Sequence, residues 1–252
     1  VNRTIITLAI VGALLLVACG TDADATTTTT TRTTSIATTT VPAATTQVPI
    51  GVVPQTYEEF REQPTACSAE APAPVVPMEF AEPEDMNLDP ALKVPATIVT
   101  SCGSIEVELD PSVAPETVNS FVFLAEEGYF DGTVSHRILP GFVMQAGDQT
   151  ATGIGGPGYT ITDELPPQDF VYTRGTLAMA NAGPGTTGSQ FFIVLADVQL
   201  PPQFSVFGEI VAGFEVLDRI EEIPLGRAPT SVDPSPSTPL ETLYLDTVSI
   251  AG

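Results

Sequence analysis

Beyond Val94 the chain predicts a mainly β fold, a β-barrel rather than an open α/β sheet. Three observations carry that expectation. The apolar stretches are short, Gly and Pro punctuate them, and only two isolated segments have helical periodicity. The strict alternation of strand and helix that builds βαβ units is therefore missing. No internal repeat offers a solenoid instead.

The elements follow in order. Ile98 and Val99, then Ile105, Val107 and Leu109 alternating with Glu106 and Glu108, predict two strands joined through Cys102-Gly103-Ser104. Residues 115–127 predict a helix: Pro115 and Glu116 suit a first turn, Val118, Phe121, Val122 and Ala125 share a face, and Gly128 closes it. Short strands are expected over 141–145, 176–180, 190–195 and 205–211. A second helix fits 214–220, and 243–250 alternates as a last strand.

The amino end reads differently. Residues 5–17 form a thirteen-residue apolar run behind Arg3. A bilayer span needs about 20 residues, so the run fits the apolar region of a signal peptide. It ends in Leu16-Val17-Ala18-Cys19-Gly20, which resembles the lipobox of bacterial lipoproteins, with 1–18 as the leader and Cys19 as the acylated residue. The alternative is an ordinary secretory signal with a chance cysteine. Residues 19–50 predict a disordered tether, since residues 21–46 hold fourteen threonines and little that could offset the entropy of ordering. Residues 51–93 predict a Pro-rich acidic strap, extended because proline fixes φ and removes a donor, with Tyr57, Phe60, Met78 and Phe80 as anchors. The main domain then covers 94–252. Such a leader places the protein on the outer face of a bacterial membrane, held by lipid alone.

Charge excludes several classes. The formal net charge is −23, with 31 acids against 8 bases. Nucleic-acid binding rests on Lys and Arg neutralising phosphates, so a nucleic-acid partner is excluded. One histidine and three scattered cysteines give no metal site with usual spacings. Gly153-Ile154-Gly155-Gly156-Pro157-Gly158 matches a dinucleotide fingerprint literally, but it opens no helix and holds a proline. A Ser-His-Asp hydrolase would have to use His136, which has no nucleophile elbow beside it and sits next to Arg137. The pairs Glu126-Glu127 and Glu221-Glu222 read as solvated helix ends.

What remains is a pair of long motifs. The segment Ser135-His136-Arg137-Ile138-Leu139-Pro140-Gly141-Phe142-Val143-Met144-Gln145-Ala146-Gly147-Asp148 resembles the active-site segment of cyclophilins. Gly175-Thr176-Leu177-Ala178-Met179-Ala180-Asn181-Ala182-Gly183-Pro184, with Thr187-Gly188-Ser189-Gln190-Phe191-Phe192-Ile193 after it, is similar to the second signature of that family, and Val206-Phe207-Gly208 to the strand that follows. The resemblance implies a closed eight-stranded antiparallel barrel capped by two helices, and a cofactor-independent peptidyl-prolyl cis-trans isomerase. It implies Arg137 as the catalytic arginine, Gln145 as its orienting partner and Asn181 as a backbone contact for the peptide. Phe142, Val143, Met179, Phe192, Leu200 and Phe204 are then expected to line the proline pocket. Ala180, Ala182 and Gln190 should border the pocket for the residue two before the proline. His136 is expected to be structural, and Phe191 to face the opposite side from Phe192.

The chain departs from the best-known members at Ser135, Val143 and Ala146, at Gln199 where many have tryptophan, and at Phe204 where many have histidine. Proline-containing polypeptides are the expected partners and a monomer the expected state. The alternative is a non-catalytic module that binds proline peptides. Setting Cys19 aside leaves Cys67 and Cys102, an even number for an oxidising compartment, so a bridge from strap to first hairpin is expected against the alternative of two free thiols.

Overall fold

The computed structural model describes residues 53–251. The leader, Cys19 and the Thr-rich tether lie outside them.

Strands β1 (Val94–Thr100) and β2 (Gly103–Leu109) form a hairpin in which Ile98 faces Ile105 and Ala96 faces Val107. Their alternate residues are buried while Glu106 and Glu108 point away, which is the period-two pattern read from the sequence. Helix α2 (Pro115–Glu126) carries Val118, Phe121, Val122 and Leu124 into the core. A short helix α1 (Tyr57–Arg61) precedes it in the chain, in the strap. Ala114 cannot cap α2 with its side chain. Instead the carboxylate of Glu164 accepts from the Glu116 and Thr117 N–H groups at 3.0 and 2.8 Å, a negative charge on the positive helix end. At the other end Gly128, with φ of 71°, lets its own N–H and that of Tyr129 return to the Ala125 and Leu124 carbonyls, closing a Schellman motif.

The remaining elements are β3 (Thr133–Val134), β4 (Arg137–Leu139), β5 (Val143–Ala146), β6 (Thr176–Met179), β7 (Phe191–Val194), β8 (Val206–Ala212), helix α3 (Phe214–Glu221), β9 (Leu225–Gly226), β10 (Thr238–Pro239) and β11 (Tyr244–Ile250). Nine strands make one antiparallel sheet in the order β3-β11-β1-β2-β8-β6-β7-β5-β4, and β9 and β10 make a separate two-stranded ladder. The mainly β character follows the sequence reading, whereas the closed eight-stranded barrel gives way to a curled sheet with β3 and β4 at its edges. The cause is local. Only Ser135 and His136 separate β3 from β4, and the buried Ser135 hydroxyl donates to the Gln145 carbonyl at 2.9 Å. Beyond that, Val134 meets Asp148 through a single bridge, not a ladder.

The strap packs on this body. Tyr57 and Phe60 are buried, and Tyr57 donates to the Gly132 carbonyl at 3.0 Å while accepting from the Val75 N–H. Phe80 sets its edge on Phe123 with ring centroids 5.0 Å apart. The approach is close enough to require glycine: a Cβ on Gly132 would lie 2.6 Å from the Ala73 carbonyl oxygen. A disulfide joins Cys67 to Cys102, 35 residues apart.

Candidate active site

The register of four strands assembles the site. Arg137 on β4 pairs with Gln145 on β5, Gln145 with Phe192 on β7, and Phe192 with Ala178 on β6. In an antiparallel sheet such partners project from one face. One row thus runs from a guanidinium through an amide to an aromatic ring, all on the outer face. The neighbours Ile138, Met144, Phe191 and Met179 point the other way and lie in the main core.

The outer face carries its own apolar cluster. Val143, Tyr172, Ala178, Phe192 and Val194 are buried in it, and Phe142, Leu200 and Phe204 stand half-buried at its border. Phe204 meets Phe192 edge-on with centroids 5.4 Å apart. The Tyr172 hydroxyl donates to the Phe204 carbonyl at 3.1 Å, so the loop bearing Phe204 is held from below. Tyr172 and Phe170, whose rings meet edge-on, were missed in the sequence, although their spacing of two in Asp169-Phe170-Val171-Tyr172 is a strand-like signal. Met179 is a correction: expected in the pocket, it pairs with Phe191 and faces the core, because Ala178 takes the outward position of β6 and Ala180, just beyond the strand, borders the outer cluster. Gln199 is exposed and adds no ring to the pocket.

Polar groups converge at the Arg137 end. Gln145 Oε1 accepts from Arg137 Nη1 at 3.3 Å, Gln145 Nε2 donates to Gln190 Oε1 at 2.9 Å, and Gln190 Nε2 donates to the Gly155 carbonyl at 2.9 Å. The chain of bonds fixes which way each amide points. The Arg137 guanidinium also lies 6.0 Å from the Phe142 ring centroid. Its other edge pairs with Asp233, Nε to Oδ2 at 2.9 Å and Nη2 to Oδ1 at 2.7 Å. That hydrogen-bonded pairing holds the Asp233 carboxyl below its ordinary value. Nothing in the sequence pointed to Asp233, which lies 96 residues away in a Ser- and Pro-rich loop.

Beside this row lies a cavity of about 330 Å³ lined by Gln145, Gly155, Ala180, Asn181, Ala182 and Gln190, so those expected residues do come together. Asn181 spends its side chain on the loops, Nδ2 donating to the Gln203 carbonyl and Oδ1 accepting from the Gly183 N–H. The glycines that mimicked a dinucleotide motif form one wall. They wrap Asp148, whose Oδ2 accepts from the Gly153 and Gly155 N–H groups at 2.8 and 3.0 Å. A Cβ on Gly155 would lie 2.0 Å from Asp148 Oδ1. Burial alone pushes the Asp148 carboxyl up, but hydrogen bonds from Thr150 and Gly155 outweigh it and hold it low. Burial also drives the His136 imidazole down to about 4, with Arg137 adding to the fall and Asp148 opposing it. Its Nδ1 is buried with no partner among the described residues, and an imidazole held down to about 4 is neutral at pH 7.

Comparison with known proteins agrees with this geometry. Residues 96–241 match the family model described as cyclophilin type peptidyl-prolyl cis-trans isomerase/CLD. A relative from Streptomyces anulatus, peptidyl-prolyl cis-trans isomerase B, is 40% identical over 173 residues, which are 62% of this chain and 95% of that protein. The probable peptidyl-prolyl cis-trans isomerase B of Mycobacterium tuberculosis is 39% identical over 187 residues, 68% of this chain and 60% of its own length. The chain thus spans about three fifths of that mycobacterial relative. A crystal structure of a cyclophilin-type isomerase from Cryptosporidium parvum, in the presence of the dipeptide Ala-Pro, superposes with a TM-score of 0.56 at 34% identity, covering 63% of this chain and 99% of that one. The chain belongs to the cyclophilin-type peptidyl-prolyl cis-trans isomerase family.

Proposed function

We propose that the protein accelerates cis-trans rotation about X-Pro bonds in polypeptides, with Arg137 acting beside the apolar pocket of Phe142, Val143, Phe192, Leu200 and Phe204. The observation that carries this reading is the cross-strand row from Arg137 through Gln145 to Phe192. Rotation about an amide faces a barrier of about 18–20 kcal/mol because the C–N bond has double-bond character. No bond breaks, so the reaction needs a dry seat for the ring, a grip on one side of the bond, and charge that favours the twisted amide. The apolar cluster offers the seat. The main chain near Asn181 and the cavity at Ala180, Ala182 and Gln190 offer the grip. Arg137 offers the charge, donating to the substrate carbonyl and favouring a pyramidal prolyl nitrogen. Each tenfold in rate needs about 1.4 kcal/mol of preferential binding to the twisted state. The names of the Streptomyces and Mycobacterium relatives, and the presence of Ala-Pro with the Cryptosporidium protein, support the same substrate class. A protease-coupled assay on an X-Pro peptide tests it: acceleration by the wild-type protein is expected, and its absence would leave a proline-peptide binding module.

The setting we propose is the outer face of a bacterial membrane, with Cys19 lipidated and exported or surface proteins as clients. The lipobox-like segment and the bridge between Cys67 and Cys102, a bond at home in oxidising compartments, support it. Metabolic labelling with a fatty acid should mark the wild-type chain and not Cys19→Ser. Equal labelling of the two would contradict the anchor.

A further inference from the structure

The loop between β9 and β10 brings Asp233 to the catalytic arginine's unused edge, and its construction is specific. Arg227 donates to the Asp233 and Pro234 carbonyls at 2.6 and 2.7 Å, and the Asp233 N–H donates to Ser231 Oγ at 3.2 Å. The Ile138 N–H, next to Arg137 on β4, donates to the Ser237 carbonyl at 2.8 Å. The Ile138–Ser237 bond ties the loop to the arginine strand, while Arg227 and Ser231 brace the loop around Asp233. The Asp233 side chain is 11% exposed and that of Arg137 27%, so the pair is shielded from the screening that weakens surface pairs.

A guanidinium presents five N–H donors in a rigid plane. Asp233 takes the two on the Nε–Nη2 edge and Gln145 takes one on Nη1. The remaining two, one on Nη1 and one on Nη2, have no acceptor among the described residues. Asp233 lines a cavity of about 340 Å³ with Arg137, His136 and Val232, and no residue of the apolar pocket borders that cavity. The carboxylate thus meets the arginine at a cavity that the residues of the apolar pocket do not line.

Resting on the proposed isomerase activity, we infer that Asp233 is a positioning residue: it clamps the Arg137 guanidinium edge-on, so that its two free donors are already aimed at the substrate carbonyl when the peptide arrives. Without it, a long side chain on an edge strand must be ordered in each catalytic event. A misplacement of about 1 Å at such a centre is worth up to about a hundredfold in rate.

The test measures kcat and KM for an X-Pro peptide, with thermal unfolding on the same samples, for wild type, Asp233→Ala, Asp233→Asn, Arg137→Ala and the double variant Arg137→Ala/Asp233→Ala. Asp233→Ala should lower kcat by about tenfold to a hundredfold with KM little changed, as expected for an interaction that matters in the transition state. Asp233→Asn keeps the shape and one acceptor and should recover part of the loss. In the Arg137→Ala background, Asp233→Ala should cost nothing further, because its effect travels through the arginine. Wild-type kcat in both Asp233 variants would overturn the positioning role while leaving the enzyme reading intact. A rise in kcat would overturn it too, making Asp233 a competitor of the substrate. An additional loss in the Arg137→Ala background would assign Asp233 to the loop's structure alone. A wild-type protein that fails to accelerate rotation would overturn the enzyme reading itself, and the positioning role with it.

Discussion

Phe191 and Phe192 are neighbours on β7 and belong to two different hydrophobic bodies. Phe191 looks inward, against Phe121, Phe130 and Phe207, in a core sealed by α2 and α3. Phe192 looks outward, against Tyr172 and Phe204, in a smaller cluster that no helix covers among the described residues. Both rings are nearly out of water, at 0% and 5% exposure, so burial alone does not separate them. What separates them is what lies at the edge. The inner cluster is bordered by more apolar side chains, the outer one by Arg137, Gln145 and the cavity at Ala180. A site of this kind is a second core left unfinished on one side, placed there by the period-two alternation of a strand.

The comparison breaks most visibly at the two rings. Phe191→Ala should cost about 3–5 kcal/mol of stability, the usual loss for a fully packed ring. Phe192→Ala should cost toward the lower end of that range and in addition lower kcat/KM for an X-Pro peptide under conditions where the variant is folded. Urea unfolding and the isomerisation assay on the same preparations measure both. An equal stability loss with unchanged isomerisation by Phe192→Ala would erase the distinction.

The strap sharpens the contrast from outside, because its disulfide anchors it at the first hairpin and not at the apolar pocket. Cys67→Ser with Cys102→Ser should destabilise by roughly 3–4 kcal/mol on a chain-entropy account of a loop of 35 residues. Peptide isomerisation by the folded fraction should persist. A matching loss of activity in that fraction would show that the strap shapes the site.

His136 gives an effect of similar size that depends on pH. Its imidazole is held at about 4 in the folded protein, against about 6.5 in an unfolded chain. Below pH 6.5 the unfolded chain takes up a proton that the native state declines until about pH 4. The histidine's contribution is therefore full above pH 6.5 and is lost as pH falls through that window, at most on the order of 3 kcal/mol. As the chain has a single histidine, its NMR signals report the titration directly. A midpoint near 4 is expected, and one near 6.5 would contradict the burial assigned to it.

The smallest effect belongs to Met179. Facing the core, it should accept Leu at a cost below about 1.5 kcal/mol with unchanged isomerisation. A changed substrate preference in Met179→Leu would return it to the pocket.

Much of this was legible in the sequence. The strands announced themselves where one face is wet, as in Ile105-Glu106-Val107-Glu108-Leu109, and α2 through its proline start and glycine stop. The motif around Arg137 carried the family, and with it the fold and the chemistry. Other features were not local enough to read. Thr176–Met179 is buried on both faces, so no alternation marks which side Met179 takes; only its register against Phe191 does. Sheet closure is not legible in the sequence either, since it turns on pairing between β3 and the chain just beyond β5, where a single bridge from Val134 to Asp148 forms. Asp233 was illegible because an ion pair closed across 96 residues leaves no pattern in either segment.

The central claim is that Arg137 serves the reaction and not the fold, and Arg137→Ala tests it most directly, with X-Pro isomerisation and thermal unfolding measured on one sample. The account predicts a fall in kcat/KM of about a hundredfold or more, as for loss of a preorganised donor to the transition state. It also predicts that the variant still unfolds cooperatively, with a melting temperature lowered only by the loss of Asp233's partner, because the side chain lies on the outer face and pairs with a loop, not with the core. Isomerisation at the wild-type rate in a folded Arg137→Ala protein would contradict it.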